Sequence, residues 1–230
     1  MPIKKKLNTY LKEMNIENSW AVYETIIELF SNNQDEVIVS QLSEVYRKLI
    51  AMAKNNIDFN KIKDDLEKII LVLGQGTEKE AVQQFKVLVA FLLDAAGIHK
   101  AFKVQKWAAK AIIKDFESRE EFQFKKGVAK SYYNLLVLST VDDDLDTIEA
   151  TYKQLEAKTK YVANDMVKDY FYEGQRTFAV ELFKRGHLDR SEAYIKDNLK
   201  EKDSFLGRYY LGWIYEQKKL NKKSSKSIWR

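Results

Sequence analysis

Histidine carries much of the acid–base, metal and nucleophilic chemistry available at neutral pH, and this 230-residue chain has two, His99 and His187. Each falls near an expected helix–helix turn. Neither has a second ligand at metal spacing or a serine–acid pair beside it. Cysteine is absent, which excludes disulfides, thiolate metal sites, iron–sulfur clusters and cysteine nucleophiles. Gly74-Gln75-Gly76-Thr77 lacks both the lysine and the preceding strand of a phosphate loop. The glutamates include no Glu-x-x-His of the kind a di-iron bundle uses. Asp142-Asp143-Asp144-Leu145-Asp146 lacks the spacing and glycine turn of a calcium loop. It suits a helix start, where free amides and the dipole favour negative charge. The chemistry-bearing residues therefore predict neither an enzyme nor a metal or cofactor site, and leave binding as the function to look for.

The elements that position these residues are helical. The single proline is Pro2, so nothing after it removes a backbone donor or fixes φ. No segment shows sustained strand alternation, and the expected content is roughly three-quarters helix. Trp20, Tyr23, Ile27 and Phe30 share a helix face, with Ser19 near its start and Ser31-Asn32-Asn33 at its end. Ile38, Leu42, Val45, Leu49 and Met52 form a narrow second stripe, and Ile62, Leu66, Ile69, Ile70 and Leu73 a third. Thr77 and Glu80 resemble a capping box that opens a helix running to about Ala96, apolar on most sides and expected to be buried, with Gly97 as its C-cap. Helices over 99–116 and 119–140 follow; Val128, Tyr132, Leu135, Leu136 and Ser139 share a face of the second. Leu145, Ile148, Tyr152 and Leu155 mark another. The last part holds helices near 163–185, 189–200, 203–217 and 220–229.

Two C-terminal segments repeat a pattern. Ala179 with Leu182, then Leu188, matches Gly212 with Tyr215, then Leu220: a small residue, an apolar residue three later, a polar turn and a second helix. Ala129 with Tyr132 and Ala90 with Leu93 echo it more weakly, at uneven spacings of 39, 50 and 33. The pattern resembles the tetratricopeptide helix–turn–helix repeat. It implies an all-α fold of helical-hairpin repeats forming a short right-handed α-solenoid over 77–230, behind an N-terminal helical segment over 1–76. Gly207-Arg208-Tyr209-Tyr210-Leu211-Gly212-Trp213, with the Lys/Ser-rich segment after it, is similar to the C-terminal repeats of bacterial peptide-pheromone receptors, the phage arbitrium receptors among them. Residues 1–60 show no glycine-bearing turn before a basic recognition helix, the DNA-binding element many of these regulators carry.

That resemblance implies a cytoplasmic, quorum-sensing type of regulator that binds a short peptide or protein partner on a concave face and forms a homodimer. If Ala129, Ala179 and Gly212 are equivalent, the groove is lined by Lys126, Lys130 and Tyr133, by Arg176, and by Tyr209 and Trp213, with Asn134 alongside. Cations would meet carboxylates and rings would cover apolar groups. The net charge of +5 comes from the ends: Lys4, Lys5 and Lys6, and Lys218, Lys219, Lys222, Lys223, Lys226 and Arg230. Binding of nucleic acid through these termini is the alternative function. The longest apolar stretch, Val87 to Ala96, contains Asp94 and is too short to span a bilayer, so no membrane role is expected.

Overall fold

The computed structural model describes residues 3–13, 21, 22, 25, 26, 29, 36–51, 59–74 and 79–227. The Trp20–Phe30 stripe with its flanking signals and the Thr77 capping box fall mainly or wholly outside the described residues. Of the described residues 87% are helical, and none lies in a strand. The helices are α1 (Ile3–Glu13), α2 (Glu36–Ala51), α3 (Phe59–Gly74), α4 (Lys79–Ile98), α5 (Phe102–Phe116), α6 (Phe122–Asp142), α7 (Leu145–Thr159), α8 (Asp165–Lys184), α9 (Leu188–Glu201) and α10 (Phe205–Ser227). They form two compact units, Met1–Asp115 and Phe116–Arg230.

In the first unit α2 and α3 both pack on α4, and α1 packs on α2. The second and third sequence stripes supply the core: Leu42, Val45, Ile62 and Leu66 are buried with Leu88, Leu92 and Ala96 of α4. The expectation that α4 is buried on most sides needs correction, because Val87, Phe91 and Ile98 are exposed. Its C-terminal signal is also different. Gly97 lies inside the helix, where an added Cβ would sit 2.9 Å from the Gln105 side chain. The left-handed residue is Lys100, with φ 57°. The amide of Lys100 donates to Gly97 O and that of Ala101 to Ala96 O, the paired bonds of a Schellman cap. Gly97 thus permits a close approach between α4 and the start of α5 and leaves the reversal to Lys100.

In the second unit each helix packs on the one before it, and α8 and α10 also touch α6 and α8 respectively. Helix starts follow side-chain chemistry. Asp144 caps α7 by accepting from the Thr147 amide at 2.8 Å, Asn164 caps α8 through Met166 at 3.0 Å, and Ser204 caps α10 through Gly207 at 3.1 Å. Gly186, at φ +82°, closes α8 with the same paired bonds as Lys100, from Gly186 to Phe183 O and from His187 to Leu182 O. The core stacks Tyr152 on Phe178 at 4.8 Å, with Tyr194 edge-on to both. Tyr132 anchors α6 by donating to Glu117 at 2.7 Å. Burial, and then that hydrogen bond, push its phenol well above the ordinary tyrosine range.

The separate helix expected over 220–229 does not form. α10 runs unbroken from Phe205 to Ser227, because Gln217-Lys218-Lys219-Leu220 are all good helix formers and nothing there plays the part of Gly186.

Candidate ligand-binding surface

Small residues set how closely the helices of the second unit approach. A Cβ on Gly174 of α8 would lie 2.2 Å from Leu155 Cδ2 of α7, and one on Gly207 of α10 would lie 2.8 Å from Leu199 Cδ2 of α9. Each glycine is therefore where its helix crosses the preceding one. The two are 33 residues apart, the same interval that separates Ala179 from Gly212. Sequence reading found the second pair and missed the first, although the same interval would have revealed it.

Ala179 meets the helix that follows. It is fully buried, and Ser191 of α9, also buried, donates to its carbonyl at 2.7 Å. Farther along the same seam Asn198 donates to Tyr172 O at 2.9 Å and to Gln175 Oε1 at 3.0 Å. These buried polar atoms are satisfied, as a seam of this kind requires. Gly212 does not repeat the role expected of it: nothing lies within 4 Å of its would-be Cβ, and α10 continues past it unbroken to Ser227.

The proposed groove residues divide by helix. On α6, Lys126, Lys130 and Tyr133 step by four and three and so share a face; all three are half-buried. Tyr133 contacts Tyr170 of α8 at 6.0 Å. Asn134 donates its side-chain amide to Lys130 O at 2.9 Å, within its own helix. On α8, Arg176 shares a face with Val180 and Phe183. Its side chain is 17% exposed and pairs with Glu173, so it is a covered, partnered cation where sequence reading expected an open one. On α10, Tyr209 and Trp213 are each 44% exposed and contact one another at 4.9 Å. Trp213 also reaches Phe183 of α8 at 6.3 Å, and Phe205 stacks on Tyr209 at 6.2 Å. The contacts thus form two groups: α6 with α8 through Tyr133 and Tyr170, and α8 with α10 through Phe183, Trp213 and Tyr209.

A concave feature belongs to the first unit and was not foreseen. A cavity of about 580 Å³ opens between α2 and α4, lined by Ile50, Phe91, Ala95 and Ile98 among charged groups of both signs. One of those is Arg47, which grips Glu44 with two hydrogen bonds of 2.7 and 2.8 Å. His99, the histidine at this cavity, lies with its ring 5.4 Å from that of Phe59. Its lining is split between two helices and includes no spacing that marks it in sequence.

Among the described residues no group of three acidic or histidine side chains could hold a metal ion, and no helix is long and apolar enough to cross a membrane. Compared with known proteins, the chain matches no family model, no curated protein and no solved structure.

Proposed function

We propose that this chain is a non-catalytic regulator that binds a peptide or protein partner, with α6–α10 read as a short right-handed array of tetratricopeptide-like hairpins and the ligand on their inner face. The observation that supports this most is the partly exposed ring strip Phe183–Trp213–Tyr209 running between α8 and α10. Amphipathic rings of limited rotamer freedom are the groups that dominate binding energy at protein and peptide interfaces. Lys126 and Lys130, on the α6 face of Tyr133, and Arg176, on the α8 face of Phe183, add cations for carboxylates. Arg176 would exchange Glu173 for the ligand, which favours a carboxylate over a neutral group. The similarity to peptide-pheromone receptors narrows the ligand to a short linear peptide and the setting to bacterial or phage signalling.

Isothermal titration against a panel of short synthetic peptides with acidic and apolar residues tests this. Trp213→Ala and Arg176→Ala should each weaken the best binder by about 1–3 kcal/mol. Equal affinities for wild type and Trp213→Ala would remove the ring strip from the site. Binding to a DNA duplex that falls steeply with salt and ignores Trp213→Ala would favour the terminal lysines and the nucleic-acid reading.

A further inference from the structure

The cavity between α2 and α4 has walls of different chemistry. On α4, Phe91, Ala95 and Ile98 share one face. Phe91 is 47% and Ile98 78% exposed, so this wall presents two large apolar side chains that its own unit does not cover. Ile50 of α2, which is buried, adds to the apolar lining. The α2 wall is charged: Glu44, Arg47 and Lys48 share a face there. Arg47 places two N–H groups on the Glu44 carboxylate. Lys48 makes no hydrogen bond or ion pair among the described residues and adds only a weaker field at Glu44. The α2 wall therefore carries one positive charge in excess. Asp94 is the acid of the α4 wall, and it is engaged in an interaction of its own. The rim at the end of α4 is firmly set. His99 holds its ring 5.4 Å from that of Phe59, and Lys100 makes the left-handed turn at φ 57°. The amides of His99, Lys100 and Ala101 cap the last α4 carbonyls, which weakens the negative potential that a helix end presents to an anion. The His99 imidazole makes no side-chain hydrogen bond among the described residues and offers a second donor edge.

We propose that this cavity binds a small amphipathic monocarboxylate, an organic acid with an apolar body, seated with that body on Phe91, Ala95 and Ile98 and its carboxylate toward Lys48 and His99. The volume of about 580 Å³ falls within the roughly 300–1,000 Å³ of small-molecule pockets, which are mostly apolar with a few polar groups that fix orientation. One turn of helix with its side chains occupies roughly 500 Å³, so a partner helix has no room to lie in it. The head group is selected by what is open to bond. A carboxylate gains a charge-assisted bond from Lys48. An ammonium head would meet Lys48 as a like charge and find Glu44 already gripped by Arg47. A neutral head forgoes the charge of Lys48. Asp94 works against an anion on its own side, which places the carboxylate at the α2 wall. The site belongs to the first unit and does not rest on the peptide reading of α6–α10.

Octanoate, octanol and octylamine share one body and differ in head group. Each is titrated, below the concentration at which it aggregates, into the full isotope-labelled chain and followed by amide chemical shifts. Octanoate should shift Phe91, Ala95, Ile98 and His99 and bind more tightly than octanol, and octanol more tightly than octylamine. Lys48→Met should weaken octanoate about fivefold or more and leave octanol unchanged. Phe91→Ala should weaken octanoate and octanol alike, by about tenfold. Because Phe91 is half-exposed, that variant should keep the amide spectrum of the folded chain. Trp213→Ala, which strikes the proposed peptide surface, should leave octanoate binding unchanged. Octylamine held in the cavity as tightly as octanoate overturns the proposal. So does full octanoate affinity in Lys48→Met, an octanoate response confined to residues outside the cavity, or no octanoate binding at all. Concentration-dependent dimerisation of the wild type that Phe91→Ala abolishes also overturns it, by making a second copy the occupant.

Discussion

α8 and α10 occupy matching places 33 residues apart and teach different lessons. α8 is enclosed: Phe178, Ala179 and Leu182 are fully buried, and Gln175 and Glu181 nearly so. α10 buries one side only. Ile214 is fully covered, while Phe205, Leu206, Tyr209, Trp213, Tyr215 and Leu220 are exposed. Helix α8 is therefore specified by packing, and its sequence answers to α6, α7 and α9. Helix α10 holds more large apolar side chains in solvent than its own unit uses. Single exposed apolar residues are ordinary, but a contiguous set on one element marks a contact surface. The two helices share their small-residue plan and differ in what covers them.

Mutation should expose that contrast most strongly at the rings. Phe178→Ala removes a fully buried side chain stacked on Tyr152 and should cost about 3–5 kcal/mol of stability. Trp213→Ala, at the counterpart surface of α10, loses only ring contacts and should cost about 0.5–1.5 kcal/mol. Urea unfolding of the two variants measures both. Similar losses would mean that α10 is as deeply built into the core as α8 and would break the comparison.

The glycines come next. Gly174→Ala drives a Cβ against Leu155, which is fully buried and has no open side to swing toward. The overpacking should outweigh the gain in helix propensity and leave a net loss of about 1–2 kcal/mol. Thermal unfolding tests the sign: a stabilised Gly174→Ala chain would mean that Leu155 re-packs at little cost and that the crossing is loose.

Much of this architecture was legible in sequence, and the failures have particular causes. Stripes such as Ile62/Leu66 and Ile148/Tyr152/Leu155 located buried faces because the helical period is a direct consequence of geometry. The acidic run at 142–146 correctly marked a helix start, with Asp144 as the capping residue. Gly97 misled because glycine near a helix end has two uses, reversal and close approach, and only the neighbour, Gln105, tells them apart. The turn expected before Leu220 rested on repeat analogy, whereas Gln217-Lys218-Lys219-Leu220 all favour helix and no glycine interrupts them. Gly212 was chosen for the right spacing and the wrong environment: a small residue permits a crossing but cannot supply the helix that crosses.

The smallest expected effect concerns the polar join that holds α10 to α9. Lys218 of α10 pairs with Glu192, and with Asp189 at 2.5 Å. Lys196, one turn along α9, reaches Glu192 at 2.5 Å. Lys196 first and then Lys218 hold the Glu192 carboxyl at about 2, below its ordinary value of 4.5. A carboxyl whose value is lowered by folding stabilises the fold fully above its unfolded value and loses that contribution as pH falls through the folded one. The Glu192 contribution should therefore be complete above about pH 4.5 and gone near pH 2. Glu192→Gln should lower stability in the upper range, and its difference from wild type should shrink as acid is added, since other carboxylates titrate alike in both chains. Amide exchange should place the loss in α10 more than in α8, because α10 has fewer other attachments. A pH-independent difference, or one spread evenly over α8 and α10, would mean that Glu192 acts by shape instead of charge and that the join is not specific to the half-covered helix.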